Sequence, residues 1–173
     1  MSRSRNIIVA IDETDPHLFK KIVDSLDSDL CIIKIGSVSF NAIGQDALLY
    51  VAKKGFEIFL DLKFHDIPTT VYKACISAFS LDIWMVNVHL SGGYPMVSAA
   101  AKAKVDVSSK TKLIGVTVLT SLSDEECASV YGSTQKIPDR RLIKDIAKHI
   151  RPRNTKNIWA HGPSDLGYGH MGL

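Results

Sequence analysis

Eleven consecutive residues, 61–71, have the sequence DLKFHDIPTTV and carry most of what can be predicted for this chain. They follow residues 57–60, which are apolar after Glu57 and have the pattern of a buried strand, in which successive side chains point to opposite faces. Asp61 and Lys63 are therefore predicted to point to one side, and Asp66 to lie where strand gives way to loop. Charges placed so closely are costly unless they neutralise one another or do chemistry. We favour a functional cluster; the alternative is an ion-pair group that merely closes a strand end.

The composition of the 173-residue chain is that of a globular protein, with 46% hydrophobic and 23% charged residues. No run is long and apolar enough to span a membrane, and the first residues lack the apolar segment of a secretory signal. Cys31, Cys75 and Cys127 are scattered and odd in number, so they predict neither a metal site nor a disulfide framework. A reducing cytoplasm is the expected location. The net charge of +3 suits an anionic small molecule and does not imply nucleic acid.

Apolar and amphipathic segments alternate along the chain. Strands are predicted at residues 7–11, 30–35, 57–62, 84–88 and 113–119. Helices are predicted at 16–26, 41–53, 68–79, 94–104, 123–131 and 138–150. Strands that form continuous apolar runs and alternate with helices are typical of a parallel sheet covered by helices.

Polar side chains recur near the C-terminal ends of these strands, on one alternating face. They are Asp12, Lys34, Asp61, Lys63, Asn87 and His89. Such a gathering marks the active face of a (β/α) barrel, and open α/β sheets bind ligands at the same edge. The pattern predicts a ligand site at this edge and leaves barrel closure open.

Four blocks of the sequence together resemble the orotidine 5'-phosphate decarboxylase family. They are KIG at residues 34–36, DLKFHDIP at 61–68, VNVHLSGG at 86–93 and VTVLTS at 116–121, in the family's order and spacing. The resemblance extends over about residues 7–148. It implies a TIM (β/α)8 barrel, here incomplete with about five βα units. It also implies a homodimeric carbon–carbon lyase that converts orotidine monophosphate to UMP and CO2 without a cofactor or metal.

The resemblance also implies roles for individual residues. Lys63 would be the proton donor to C6 of the pyrimidine, Asp61 and Asp66 would flank it, and Lys34 would complete an alternating charge network. The implied substrate-binding residues are Asp12, Lys34, Asp61, Lys63, Asp66, Ile67, Thr70 and Thr120. Of these, the resemblance implies that Asp66, Ile67 and Thr70 reach into the site of the neighbouring subunit.

The sequence changes character after residue 148, where a basic polar stretch precedes a glycine-rich end. We expect residues 1–150 to form a partial barrel domain and 151–173 an unrelated, poorly ordered tail, as truncation or a frameshift would produce. The family's phosphate-binding residues belong to its last two strand–loop units, for which no counterpart is found. The chain by itself is therefore expected to be weakly stable and poorly active.

Two other interpretations stay open. One is a sister enzyme of the same superfamily, such as hexulose-phosphate synthase, which shares the D-x-K-x-x-D core but uses magnesium. The other is a truncated fragment without catalysis. The Ile67-Pro68 pair and the KIG block favour the metal-free decarboxylase over the sister enzyme.

Overall fold

A parallel sheet of six strands forms the frame of the molecule in the computed structural model, which describes residues 7–131 and 158–161. The strands lie side by side in chain order, as in the wall of a (β/α) barrel. They are β1 (Ile7–Ile11), β2 (Cys31–Gly36), β3 (Ile58–Phe64), β4 (Met85–His89), β5 (Lys112–Val116) and β6 (Ile158–His161).

Helices connect the first five strands. They are α1 (Pro16–Asp24), α2 (Ser37–Ile43), α3 (Gln45–Lys53), α4 (Pro68–Phe79) and α5 (Gly93–Asp106), with α6 (Asp124–Tyr131) after β5. The five predicted strands and the strand–helix alternation are confirmed. The helix predicted at 138–150 lies outside the described residues.

Two features of the element order differ from the prediction. The single helix predicted over 41–53 is two helices, because Gly44 adopts a left-handed φ of 73° between α2 and α3. The structure also has one strand more than predicted, β6, inside the segment expected to be a tail. Its backbone pairs in parallel with β5. A run of four residues is too short for periodicity to separate a strand from a loop.

The larger hydrophobic core lies between the sheet and the helices that cover it. Outward-facing strand residues such as Ile33, Val86 and Val88 are fully buried there, against Val71 of α4 and Val97 of α5. These side chains alternate in sequence with those of the opposite face. The alternation therefore fixes which strand residues are left to face the barrel interior.

A smaller apolar layer covers the interior face of the sheet towards the N-terminal ends of the strands. Ile32, Phe59, Met85 and Ile114 come from four successive strands and are all buried, with Trp84 packed beside them. The next inward-facing residues along β2, β3 and β4 are polar. The interior face is thus an apolar floor with a polar layer above it.

The start of α4 fixes the chain just after the functional motif. Pro68 is the first residue of α4, as predicted, where its missing N–H and fixed φ suit a helix start. Ile67 before it is extended, with φ −58° and ψ 151°, as a residue preceding proline prefers. The turn between β3 and α4 therefore consists of His65, Asp66 and Ile67 alone.

β1 lies at one edge of the described sheet and pairs there only with β2. Ile7 and Ile8 on this strand are 59% and 42% exposed. Apolar residues on a strand with one unpaired edge invite association with another chain segment. Among the helices of the described residues, none has the length and apolarity that crossing a membrane requires.

The turn after β4 is pinned against β5. Leu90 begins a short 3-10 turn, Leu90–Gly92, and its side chain is buried over Gly115 of β5. A Cβ atom added to Gly115 would lie 2.4 Å from Leu90 Cδ2. A side chain at position 115 would therefore force Leu90 to shift from its place on the sheet.

Replacing Gly115 by alanine is expected to destabilise the fold by about 1–3 kcal/mol, the usual cost of overfilling a packed core. Urea denaturation of the full chain measures this. Leu90→Ala should be less destabilising in the Gly115→Ala background than in the wild type, because it removes the atoms that would overlap. Simple additivity of the two substitutions would contradict the proposed contact.

Candidate active site

The carboxylate of Asp61 is the centre of a polar cluster at the C-terminal edge of the sheet. Its Oδ1 atom accepts hydrogen bonds from Lys63 Nζ at 2.6 Å and from Asn87 Nδ2 at 2.5 Å. Its Oδ2 atom lies 3.2 Å from Lys34 Nζ. Both oxygens of one carboxylate are therefore used, and two ammonium groups are held on either side of it.

Three adjacent strands supply these four side chains. Lys34 belongs to β2, Asp61 and Lys63 to β3, and Asn87 to β4. In the β2–β3 register Gly36 is the partner of Asp61, so Lys34 lies one inward-facing position further down the sheet. The contact predicted between Asp61 and Lys63 from strand alternation is present.

Lys63 departs from regular strand geometry. Its φ is 49°, in the left-handed region that residues with a Cβ atom seldom adopt. The pairing of β3 with β4 shifts register between Leu60 and Phe64, which marks a bulge at this point. The backbone N–H of Lys63 donates to Asn87 Oδ1 at 2.8 Å.

Burial and charge compete in setting the pKa of Asp61. Burial is the largest influence and favours the neutral acid, since only 11% of the side chain is exposed. Hydrogen bonds from Lys63 and Asn87, the charge of Lys63 and the contact with Lys34 together outweigh it. They hold the pKa of Asp61 below its usual value. Within the Lys34–Asp61–Lys63 cluster, one carboxylate is thus shared by two lysines.

Asp12 joins the same edge of the sheet from the end of β1. A Cβ atom added to Gly36 would lie 3.1 Å from Asp12 Oδ1 and 3.7 Å from Lys34 Nζ. The side chains of Asp12 and Lys34 therefore converge over Gly36, and the glycine leaves room for them. This placement agrees with the expected grouping of Asp12 and Lys34.

Asp66, Ile67 and Thr70 are exposed and stand apart from the charge cluster of their own chain. Asp66 accepts a hydrogen bond from the backbone N–H of Ile67 at 2.6 Å. No ion pair joins Asp66 to Lys63 within the described part of the chain. The expected flanking of Lys63 by two acids is thus met on one side only, by Asp61. The short β3–α4 turn directs the other acid outward.

Thr120 is exposed and lies beyond the end of β5, which stops at Val116. The strand predicted over 113–119 is shorter than expected. Thr120 therefore belongs to the loop that follows the strand, on the same edge of the sheet as the charge cluster. Among the bonds of the described residues, no hydrogen bond or ion pair joins Thr120 to the four clustered side chains.

A pair of histidines borders the cluster. The ring centroids of His65 and His89 are 5.2 Å apart. His89 Nδ1 is buried and has no hydrogen-bond partner among residues 7–131 and 158–161. Burial lowers the pKa of His89, and the neighbouring His65 and Lys63 add to this, so its ring favours the neutral form. His89 thus adds no charge next to Lys63.

Asn87 is the site residue whose role the sequence did not predict. It was grouped with the polar strand-end residues, but nothing assigned it a partner. The available signal was its position between Val86 and Val88 in a strand predicted to be buried, since a buried amide needs hydrogen-bond partners.

In the part of the chain that the structure describes, no three His, Cys, Asp or Glu side chains are grouped to hold a metal ion.

A model of the orotidine 5'-phosphate decarboxylase / HUMPS family matches residues 5–149. This span includes every residue of the cluster around Asp61, together with Asp12, Asp66, Ile67, Thr70 and Thr120. The match thus covers all the positions at which the sequence predicted a function.

Individual relatives agree with the family match. The chain is 48% identical over 145 residues to an orotidine 5'-phosphate decarboxylase of Saccharophagus degradans, which covers 84% of this chain and 61% of that protein. It is 43% identical over 124 residues to one of Shewanella sediminis, which covers 71% of this chain and 53% of that protein. The chain therefore spans little more than half the length of these relatives.

A solved structure shows the same fold. The crystal structure of orotidine 5'-phosphate decarboxylase from Lactobacillus acidophilus superposes with a TM-score of 0.71 and 31% sequence identity. The superposition covers 85% of this chain and 67% of that one. The parallel sheet described above is therefore part of a TIM-barrel fold.

The geometry predicts how Asp61 responds to pH. Its carboxyl is expected to titrate below 3.8, the usual value, when followed by carboxyl ¹³C NMR. Because its folded pKa lies below the unfolded one, its contribution to stability is present above the unfolded pKa. That contribution is lost as the pH falls through the folded pKa. Lys63→Met should raise the pKa of Asp61, while Lys53→Met, on the exposed side of α3, should not. A wild-type value at or above 3.8 would contradict this account.

Proposed function

We propose that this chain, which belongs to the orotidine 5'-phosphate decarboxylase / HUMPS family, contributes the decarboxylating residues for converting orotidine monophosphate to UMP and CO2. The observation that carries the proposal is the Lys34–Asp61–Lys63 cluster. It lies at the C-terminal edge of a parallel sheet, where α/β enzymes bind their substrates. The residues that form it are those that the family resemblance singles out.

The chemistry requires a cation beside one ring carbon. Breaking the bond between C6 and the carboxylate releases CO2 and leaves the electron pair on C6, with no adjacent group to accept it. An ammonium fixed next to C6 stabilises this negative charge as it develops. We assign that role to Lys63, whose Nζ then gives a proton to C6 and regains one from water. The step balances without a redox change, because the electron pair left on C6 is taken up by the proton from Lys63.

Asp61 is proposed to orient Lys63. The 2.6 Å contact fixes the position of the ammonium before the substrate binds, so that little reorganisation is needed during the reaction. Lys34, on the other carboxylate oxygen, is proposed to complete the network and to contact the ribose together with Asp12. The convergence of Asp12 and Lys34 over Gly36 supports this pairing. Thr120 is proposed to border the pyrimidine from the loop after β5.

A homodimer with shared sites is proposed to explain why three predicted site residues lie apart from the charge cluster of their own chain. Asp66, Ile67 and Thr70 are exposed in the single chain, and Ile67 is 64% exposed despite its apolar side chain. They lie within a few residues of Lys63 on the same edge of the sheet. Their exposure supports the proposal that they contact the site of a partner subunit. Lys63 would then receive its second acidic neighbour, Asp66, from across the interface.

The decarboxylase domain is proposed to end near residue 150, because the family model stops matching at 149. The following residues 151–173 are proposed to lie outside the family's own sequence, although β6 within them extends the sheet. We also propose a cytoplasmic location. The odd number and scattered positions of the three cysteines, which predict no disulfide framework, support a reducing compartment.

A catalytically inactive fragment is the second candidate, and the short span of the chain relative to its relatives favours it. Titration with UMP separates the two, because an inactive fragment that has lost the site should show no saturable binding. The magnesium-dependent sister reaction is tested by adding EDTA to any turnover that is found. Loss of that turnover would favour the sister enzyme.

Lys63→Ala is expected to reduce decarboxylation by at least about 10³-fold, because it removes both the charge at C6 and the proton donor. The consumption of orotidine monophosphate can be followed by its ultraviolet absorbance. Lys53→Ala on α3 is the matched control and should keep wild-type turnover. Circular dichroism should show the same fold for both variants. Unchanged turnover in Lys63→Ala would remove Lys63 from the proposed role.

Subunit mixing tests the shared site. Lys63→Ala and Asp66→Ala are each expected to be inactive alone, but to recover about a quarter of wild-type activity when unfolded, mixed in equal amounts and refolded together. Half of the dimers are then mixed, and each mixed dimer contains one intact site. Mixing Lys63→Ala with Lys34→Ala is the control, since both residues belong to the same protomer's side of the site and no intact site can form. Equal results from the two mixtures would contradict the shared site.

A further inference from the structure

We infer that Asn87 is a positioning residue, which holds the backbone of Lys63 and the carboxylate of Asp61 in the arrangement that aims the Lys63 ammonium. The catalytic role of Asn87 rests on the proposed function. The contacts from which it is inferred do not depend on that function, because they are hydrogen bonds within the folded chain.

Both ends of the Asn87 side-chain amide are engaged. Its Nδ2 donates to Asp61 Oδ1 at 2.5 Å, and its Oδ1 accepts from the backbone N–H of Lys63 at 2.8 Å. Asn87 is only 2% exposed, so water cannot readily replace either bond. One planar group thus links the backbone of the proposed proton donor to the acid that orients it.

The bond to Lys63 replaces a bond that the sheet cannot make. From Leu60 to Phe64, β3 advances four residues while β4 advances two, from Val86 to Val88. Regular pairing is interrupted over this interval. The partly buried N–H of Lys63 would otherwise lack an acceptor within the sheet, which is costly. The side chain of Asn87 lies at the interruption and supplies the missing carbonyl oxygen.

The same bond supports a strained backbone. Lys63 has a φ of 49°, and a non-glycine residue holds such a conformation only where its surroundings determine it. At this bulge the Lys63 Nζ lies 2.6 Å from Asp61 Oδ1. Without the hydrogen bond to Asn87, we expect the Lys63 backbone to leave its left-handed conformation and the contact between Nζ and Asp61 to lose its fixed geometry.

The chemistry of position 87 is restrictive. It must accept from an N–H and donate to a carboxylate at the same time, and a neutral amide does both. Aspartate would keep the acceptor but place a second negative charge beside Asp61. Alanine would keep neither bond. Because Asn87 is buried beneath the cluster, it acts through Asp61 and Lys63, not by touching the substrate.

Amide hydrogen exchange and carboxyl titration test the inference by NMR on the full chain. In Asn87→Ala, the Lys63 amide should exchange at least about tenfold faster, because its buried acceptor is gone. The pKa of Asp61 should rise, since a hydrogen bond that favours the carboxylate is lost. Thr111→Val is the matched control. It removes another buried hydrogen bond, from Thr111 Oγ1 to Ile83 O at 2.6 Å, at the opposite edge of the sheet. It should change neither quantity.

Asn87→Asp distinguishes the hydrogen bond to the Lys63 N–H from the one to Asp61. It also replaces the alanine variant if that variant fails to fold. It should keep the slow exchange of the Lys63 amide, because the acceptor remains, and should raise the pKa of Asp61 through like charge. The inference is overturned if the folded alanine variant leaves both quantities unchanged. It is also overturned if the aspartate variant leaves the pKa of Asp61 unmoved.

Turnover adds a readout that a purely structural role would not move. Where the wild-type chain turns over, Asn87→Ala should lower kcat at least about tenfold with KM changed less than about twofold, since substrate contacts are intact. A rise in KM alone would overturn the positioning role. A wild-type chain with neither turnover nor UMP binding would refute the proposed function, whereas the exchange and titration results would still decide the placement of Asn87.

Discussion

One carboxylate shared among three donors organises this end of the molecule. Asp61 is nearly buried, and a buried charge is unfavourable unless its partners compensate it. Lys34, Lys63 and Asn87 do so from three neighbouring strands. Removing any one of them leaves part of a buried charge or amide without a partner. The cluster is therefore a property of three strands together.

The sheet brings these groups together because its two faces carry different kinds of side chain. Outward residues such as Ile33 and Val86 anchor the helices, while inward residues change from apolar to polar along each strand. The apolar floor of Ile32, Phe59 and Met85 lies under the charges and excludes water from below. Opposite charges attract more strongly in such surroundings than in water. Packing and electrostatics thus depend on the same alternation of side chains.

Much of this was predictable from the sequence, and the exceptions have a common cause. Alternation placed Asp61 and Lys63 on one face, Pro68 placed the start of α4, and the motif placed Lys34 beside them. Three features were not predicted: the interruption of the helix at Gly44, the left-handed backbone of Lys63 and the two hydrogen bonds of the Asn87 side chain. Each is a local departure from regular geometry that tertiary contacts impose, and periodicity describes only regular elements. The outward direction of Asp66 likewise follows from the short turn before α4.

The central proposal is that the Asp61 cluster aims the Lys63 ammonium at the reacting carbon of a pyrimidine nucleotide. A crystal structure of this chain with UMP bound tests it most directly. The account predicts Lys63 Nζ within about 3.5 Å of pyrimidine C6, the separation of groups poised to react, with both lysines still on Asp61. UMP bound away from the cluster, or Lys63 turned away from Asp61 and the ring, would contradict it.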